Sequence, residues 1–169
     1  MNKLFVVGSG IKSISHISQE TKVIIQQSDK VLYLLNEDSL KEWVKRESKS
    51  SQSLEPIYFS SSKRIDSYQN ITNYIIEQYS KHKSLCVILY GHPTVYAQSA
   101  LAAVKKIREK DGEAYILPAI SFLDCLFSDL EIDPGEHGCF TIDATELLIY
   151  ERVLDKYSHV IISQISSLG

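Results

Sequence analysis

The sequence predicts an α/β fold with a parallel sheet, because short apolar runs alternate along the chain with segments of helical periodicity. Residues 4–7, 31–35 and 85–89 are continuous apolar runs, the pattern of strands that are buried on both faces. Helical segments separate these runs, and a strand, helix, strand order gives parallel strands. The 169 residues suffice for one compact domain or for two small α/β lobes.

The helices are predicted from capping residues and from the spacing of apolar side chains. Ser18 can cap a helix that carries Val23, Ile24 and Ile25 as its apolar residues. The serine-rich residues 48–53 are predicted to be a loop. Further helices are expected at residues 38–47, 99–110 and 122–130, a turn at 133–135, and strands at 115–117, 139–141 and 159–165.

Residues 64–82 give the clearest helical pattern. At 100° per residue, Arg64, Tyr68, Ile71, Ile75 and Tyr79 lie within one narrow stripe of this helix. Arg64 and Tyr68 therefore extend the apolar face toward the N-terminal end of the helix. Both side chains are expected to point inward or into a cleft.

The chain is predicted to contain two lobes that meet near Pro118. Residues 1–118 hold the regular alternation of strands and helices and form the N-terminal α/β lobe. Residues 119–169 form the beginning of a second α/β lobe. The apolar strand at 159–165 has little sequence after it to cover it, so the second lobe is expected to be incomplete in this chain.

Composition excludes several classes of partner. With 18 Lys and Arg against 21 Asp and Glu, the chain has no surplus of positive charge for nucleic acid or anionic lipid. No apolar run approaches the roughly 18 residues that span a bilayer. Cys86, Cys125 and Cys139 are odd in number and widely spaced, which favours free thiols in a reducing compartment. A cytoplasmic protein without membrane or nucleic-acid partners is expected.

Turn residues at strand ends mark the candidate binding sites. Gly8 and Gly10 follow the first strand, as in a dinucleotide-binding fingerprint, but that fingerprint needs a third glycine where Ser13 stands. This segment can therefore be either a structural tight turn or a loop that contacts a ligand. Residues 90–93 and 118–121 lie at the ends of two other strands. Ligands of open parallel sheets bind outside the carboxyl ends of strands. The turns at residues 90–93 and 118–121 are therefore expected to face one cleft.

Arg64 and Tyr68 form a second candidate site, since four residues of helix bring a guanidinium beside a phenol. A fixed positive charge favours the phenolate and lowers a tyrosine pKa, so the pair could remove a proton from a weak acid. A tyrosine stacked on an arginine stem is the structural alternative. The five histidines show neither metal-ligand spacing nor a Ser, His and Asp arrangement, so no metal is expected.

Several motifs, in order along the whole chain, resemble the tetrapyrrole methylase superfamily of S-adenosylmethionine-dependent enzymes. The resemblance is nearest to the borosin peptide backbone α-N-methyltransferases. The matching stretches are Val6-Val7-Gly8-Ser9-Gly10-Ile11, Ile14-Ser15-His16-Ile17, Arg64-Ile65-Asp66-Ser67-Tyr68, Leu89-Tyr90-Gly91-His92-Pro93, Leu117-Pro118-Ala119-Ile120-Ser121, Phe127-Ser128-Asp129-Leu130-Glu131-Ile132-Asp133-Pro134, Gly138-Cys139, Ala144-Thr145-Glu146 and Gln164-Ile165.

The resemblance implies a class III methyltransferase fold of two α/β lobes, an interlocked homodimer, S-adenosyl-L-methionine as cofactor and S-adenosyl-L-homocysteine as product. It implies that a ribosomally made precursor peptide is the substrate and is methylated on its backbone amides. By this resemblance the catalytic residues are Arg64, Tyr68 and Tyr90, with Tyr58 in support. The cofactor-binding residues it implies are Tyr90, His92, Val95, Ser121, Phe122 and Gln164.

Two positions depart from the family's pattern, since Thr94 and Ala119 stand where the family has glycine. Both add a side chain where close backbone approach is expected. No substrate segment follows the match, which favours a split borosin system with the precursor peptide supplied in trans. The alternatives are a tetrapyrrole (porphyrin or corrin) methylase and a non-catalytic binding or dimerisation module.

Overall fold

A five-stranded parallel sheet organises the first part of the chain in the computed structural model, which describes residues 2–165. The chain divides into two compact units, Met1–Cys125 and Leu126–Gly169. The predicted parallel α/β architecture is confirmed. The strands of the first unit are β1 (Lys3–Gly8), β2 (Lys30–Leu34), β3 (Ser51–Ser53), β4 (Ser84–Leu89) and β5 (Glu113–Ile116).

The spatial order of the strands is β3-β2-β4-β1-β5, so β1 and β4 lie inside the sheet. Their register places Val6 beside Val87 and Gly8 beside Leu89. On the other side of β4, Leu32 of β2 also pairs with Val87. Central strands of a parallel sheet are buried on both faces, which explains the unbroken apolar runs in β1 and β4.

Helices cover both faces of this sheet. Ile71 and Ile75 of the longest helix belong to one apolar cluster, and Leu40 and Trp43 belong to a second one. Ser18 caps the first helix by accepting a hydrogen bond from the Thr21 amide over 3.0 Å, as predicted. The helices of the first unit are α1 (Gln19–Gln27), α2 (Asp38–Glu47), α3 (Glu55–Tyr58), α4 (Arg64–Lys81) and α5 (Gln98–Arg108), followed by α6 (Phe122–Leu130).

The prediction of a loop at residues 48–53 is wrong in its second half, because Ser51–Ser53 is the edge strand β3. It pairs with β2 in parallel, with Val31 beside Ser51. An edge strand made of Ser, Gln and Ser contributes backbone hydrogen bonds and no apolar side chain. It therefore lacks the hydrophobic pattern by which strands are recognised. The short helix α3 was not predicted either.

The second unit contains a small parallel β-α-β arrangement. Its strands are β6 (Cys139–Asp143) and β7 (His159–Ser163), and helix α7 (Ala144–Ile149) follows β6 directly. The Asp143 side chain caps α7 by accepting a hydrogen bond from the Thr145 amide over 2.8 Å. The predicted turn is present, since the Gly135 amide donates to Asp133 Oδ1 over 2.8 Å.

Cys86, Cys125 and Cys139 are free thiols, and burial raises the pKa of the Cys86 thiol. Among residues 2–165, no helix is long and apolar enough to cross a membrane.

Arg108 covers one edge of the sheet. Its Nε and Nη2 atoms both donate to the Ala114 carbonyl oxygen, over 2.9 and 2.6 Å. Ala114 lies in β5, the strand at the outer end of the strand order. A carbonyl group of the sheet edge is thus satisfied from within the chain by the last turn of α5.

Gly8, at the end of β1, allows three loops to meet. A Cβ atom at this position would overlap the Gly91 carbonyl oxygen and would lie 2.7 Å from Ala119 Cβ and 2.9 Å from Pro93 Cδ. These atoms belong to the segments that follow β4 and β5. The absence of a side chain at Gly8 is therefore required for the approach of the three strand ends.

We expect Gly8→Ala to lower the free energy of unfolding by about 1–3 kcal/mol, because backbone and a proline ring must move to admit the methyl group. Urea unfolding followed by circular dichroism measures the change. Gly135→Ala is the matched control, since a Cβ there would approach only the Asp133 side chain, at 3.1 Å from Oδ1. Equal stability of the two variants would contradict this account of Gly8.

Candidate functional site

The ends of β1 and β4 are joined by a short backbone ladder. The Gly10 amide donates to the Gly91 carbonyl over 3.2 Å, and the Gly91 amide donates to the Gly10 carbonyl over 3.1 Å. Both glycines have positive φ, 69° and 74°, which side-chain-bearing residues rarely adopt. The turn after β1 and the predicted corner after β4 are thus brought together at the carboxyl end of the sheet, where open α/β sheets bind ligands.

A cavity of about 290 Å³ opens beside these corners, in the first unit. Aromatic and apolar side chains dominate its wall, and Asn36, Glu55, Gln98 and Ser99 add polar groups. Four predicted site residues contribute to it, namely Tyr58, Tyr68, Tyr90 and Val95. The remaining lining residues are Leu34, Leu35, Phe59, Leu89, Tyr96 and Ala97.

The tyrosines reach the cavity from three different elements. Tyr58 ends α3, Tyr68 lies in the second turn of α4, and Tyr90 follows β4. The rings of Tyr58 and Tyr68 have their centroids 6.2 Å apart. The Tyr90 hydroxyl donates to the Ile11 carbonyl over 3.5 Å, which holds the ring against the loop after β1. The structure therefore gathers the three tyrosines that the resemblance singled out.

Arg64 does not point inward, so the prediction of its orientation is wrong. It is the first residue of α4 and is exposed, and it is not among the described residues that line the cavity. The buried face of α4 begins at Ser67, one turn later. Helical periodicity predicts which face of the helix a side chain lies on. It does not predict which turns of the helix are covered by other parts of the chain.

The ring of His92 is held by Thr94. Its Nδ1 atom lies 3.2 Å from the Thr94 amide nitrogen and 2.9 Å from Thr94 Oγ1. The Val95 amide donates to the His92 carbonyl over 3.2 Å, which closes a tight turn around the buried Pro93. Predicted cofactor residues His92 and Val95 thus lie in one ordered turn at the end of β4.

Ser121 and Asp124 bind each other at the start of α6. The Ser121 amide and hydroxyl both donate to Asp124 Oδ2, over 2.6 and 2.7 Å. In return, Ser121 Oγ accepts from the amides of Leu123 and Asp124 over 3.2 and 3.3 Å. This reciprocal arrangement is a capping box with aspartate as its acidic member. The hydrogen bonds from the Ser121 hydroxyl and backbone amide hold the pKa of Asp124 below its usual range.

Phe122, also predicted to hold the cofactor, stacks on Tyr96. Their ring centroids are 6.0 Å apart and the planes are inclined by 24°. Tyr96 lines the cavity, so the start of α6 is packed against the cavity wall. Gln164, the last predicted cofactor residue, lies in the second unit directly after β7.

The sequence profile of the tetrapyrrole (corrin/porphyrin) methylases matches residues 3–165 of this chain. The chain belongs to this family. The first unit, which carries the five parallel strands and their clustered ends, contains most of the matched residues. The family assignment that the motifs implied is therefore confirmed.

Fungal proteins whose names combine a methyltransferase with a borosin cyclic peptide precursor are similar to this tetrapyrrole methylase family member. A "methyltransferase/ribosomally synthesized type I borosin cyclic peptide precursor" of Gymnopilus junonius is 36% identical over 98% of this chain. A protein of the same description from Coprinopsis marcescibilis is 31% identical over 99% of the chain. The chain spans only 40% and 43% of these two relatives. The expected resemblance to borosin methyltransferases is confirmed.

A solved structure supports the fold of the family. The crystal structure of uroporphyrin-III-C-methyltransferase from Thermus thermophilus superposes with a TM-score of 0.68 over 95% of this chain and 67% of that protein. The sequence identity is 13%, so this similarity bears on the fold alone. The predicted tetrapyrrole methylase-like fold is confirmed.

The cavity lining of this methylase family member also contains residues that the sequence did not predict, among them Asn36, Glu55 and Tyr96. Asn36 follows β2 at the carboxyl end of the sheet, so the strand-end argument applied to β1 and β4 could have identified it. Glu55 binds Lys41 over 2.7 Å, and this hydrogen bond raises the pKa of Lys41. Tyr96 has a φ of 54°, a local backbone feature that the sequence pattern did not signal.

Asp124→Asn keeps the shape of the side chain and an oxygen acceptor but removes the charge. Because the folded-state pKa is depressed, ionised Asp124 stabilises the fold above its unfolded pKa of about 3.9, and this contribution disappears as the pH falls through the folded value. We expect the variant to be less stable than the wild type near neutral pH and the gap to close below about pH 4.

Urea unfolding at a series of pH values measures this gap. Asp129→Asn is the control, since Asp129 is an exposed carboxylate near the other end of α6. A gap for Asp124→Asn that stays constant with pH, or one that Asp129→Asn reproduces, would show that the charge at Asp124 is unimportant.

Proposed function

We propose that this chain forms part of an S-adenosylmethionine-dependent methyltransferase that N-methylates backbone amides of a ribosomally made precursor peptide supplied in trans. The observation that carries the proposal is the cavity where Tyr58, Tyr68 and Tyr90 converge at the carboxyl end of the sheet. The names of the fungal relatives, which combine a methyltransferase with a borosin precursor, support the choice of a peptide substrate. By the same resemblance, the working protein is a homodimer.

The polar groups at the strand ends fit a cationic cofactor. No lysine or arginine is among the described residues that line the cavity. At the start of α6, hydrogen bonds from Ser121 favour the ionised form of Asp124. A Cβ at Gly91 would meet only Ile11 Cδ1, at 3.5 Å, so a ligand can approach this backbone closely. We assign cofactor binding to Tyr90, His92, Val95, Ser121, Phe122 and Gln164. When bound, S-adenosylmethionine supplies an electrophilic methyl group on a sulfonium.

The tyrosines and Arg64 would then act on the peptide amide. A peptide N–H is a very weak acid, so its methylation needs removal of a proton and stabilisation of the charge that develops on the carbonyl oxygen. We assign proton removal to Tyr68, with the guanidinium of Arg64, one turn earlier on α4, favouring the phenolate. Tyr58 or Tyr90 donates a hydrogen bond to the oxygen. The largely apolar wall excludes water, which strengthens these interactions.

A tetrapyrrole methylase is the second candidate, favoured by the family description and by the fold shared with uroporphyrin-III-C-methyltransferase. The cavity argues against it, because about 290 Å³ is at the lower end of the range for small-molecule sites and suits a peptide segment better than a macrocycle. Carbon methylation of an electron-rich ring also needs no tyrosine to act as a base. Porphyrinoid binding in an absorbance titration would favour this candidate.

The function is tested by incubating the enzyme made from its complete reading frame with S-adenosylmethionine and the precursor peptide encoded beside it. Fragmentation mass spectrometry locates the methyl groups, and we expect them on backbone nitrogens. Methyl groups confined to side chains, or none, would refute the proposed function.

Tyr68→Phe removes the hydroxyl that the mechanism assigns to proton transfer. We expect at least about a 100-fold loss of kcat with little change in cofactor affinity, in line with the usual contribution of general acid-base catalysis. Tyr157→Phe is the control, since Tyr157 is 75% exposed and lies in the second unit. If Tyr68→Phe retains the turnover of Tyr157→Phe, Tyr68 is not the base.

Arg64→Gln removes the charge that favours the Tyr68 phenolate. We expect the rising limb of the kcat against pH profile to move to higher pH, so that activity lost near neutrality is partly recovered in alkaline buffer. Lys63→Gln removes a neighbouring exposed charge and serves as the control. A uniform loss at every pH, or an equal shift in Lys63→Gln, would show that Arg64 does not act on Tyr68.

A further inference from the structure

The two hydrogen bonds to His92 define its tautomer. The Thr94 backbone N–H can only donate, so its contact with His92 Nδ1 over 3.2 Å requires a lone pair on that nitrogen. The Thr94 hydroxyl, 2.9 Å away, must then donate to the same atom. The neutral ring therefore carries its proton on Nε2, on the side turned away from Thr94.

His92 Nε2 is left as an available donor. No hydrogen bond joins this atom to any of the residues between 2 and 165, and the ring is only partly buried. The turn that carries the ring is fixed, because Pro93 is buried and packs against Gly8 at the end of β1. A donor without a partner among the described residues, on a fixed backbone at the end of β4, is placed to bind an acceptor atom of a ligand.

Thr94 itself does not occupy the space beside the strand ends. Its side chain is exposed and is directed to His92 Nδ1, whereas Ala119 is the residue that packs close to Gly8. The sequence comparison with the family's glycine at position 94 suggested a loss of space. The structure indicates a gain of one hydrogen-bond donor instead.

We propose that Thr94 is a positioning residue for cofactor binding, which presents His92 through a neutral Nε2–H donor. This inference rests on the proposed function, in which His92 contacts S-adenosylmethionine. A neutral donor binds an oxygen of the cofactor without adding a positive charge near the sulfonium. A ring released from Thr94 can rotate, which displaces the Nε2–H donor and weakens the interaction.

The test compares Thr94→Val, which loses the hydroxyl and keeps the shape, with Thr94→Ser, which keeps the hydroxyl. Calorimetry measures the affinity of the full-length protein for S-adenosylmethionine, and ¹⁵N NMR of the histidine rings reports on His92 Nδ1. We expect about a three- to tenfold weaker Kd for Thr94→Val, the usual effect of one hydrogen bond, and a displaced Nδ1 resonance. Thr94→Ser should restore both values.

The outcomes separate this inference from the proposed function. If the wild-type protein binds S-adenosylmethionine and Thr94→Val binds it equally well, Thr94 has no positioning role, whatever the NMR spectrum shows. A Nδ1 resonance that is the same in the wild type and in Thr94→Val contradicts the hydroxyl bond itself, without reference to any ligand. If the wild-type protein does not bind S-adenosylmethionine, the proposed function fails, and the cofactor role of Thr94 fails with it.

Discussion

The approach of three strand ends at Gly8 is the constraint on which the arrangement of the site depends. The segments after β1, β4 and β5 come within van der Waals distance there, with Gly91, Pro93 and Ala119 as neighbours. Any side chain at Gly8 would separate them. The Gly10 to Gly91 backbone ladder then fixes the loop after β4 against the loop after β1. A central pair of buried strands thus determines where the polar groups of the loops lie.

Two pairs of polar residues around the site are bound to each other, which limits how they can move. Ser121 and Asp124 satisfy each other at the start of α6, and Glu55 is bound to Lys41. Groups with fixed hydrogen-bond partners need little reorganisation when charge develops nearby, and such preorganisation is a main source of catalytic stabilisation. Apart from Asn36, Gln98 and Ser99, the rest of the cavity wall is aromatic or aliphatic. This combination of fixed dipoles and an apolar wall suits chemistry that depends on excluding water.

Much of the first unit could be predicted from sequence because its strands are buried on both faces and its helices have one apolar face. Edge strand β3 escaped prediction because it is polar and contributes only its backbone. Helical periodicity correctly predicted that Tyr68 faces a cavity. It gave the wrong orientation for Arg64, whose exposure depends on where the neighbouring elements end. The bond between Thr94 and His92 could not be foreseen either, since it depends on the backbone of a turn. Side-chain exposure and turn geometry depend on the folded backbone, and sequence periodicity does not report either of them.

Arg108 has a consequence for the behaviour of the folded chain at high concentration. Exposed edge strands can pair with strands of other molecules, and this pairing leads to aggregation. The guanidinium on the Ala114 carbonyl places a bulky cation where an incoming strand would have to donate its own amide. A foreign strand would need to displace two hydrogen bonds and desolvate the charge. The last turn of α5 therefore protects the sheet against growth at β5.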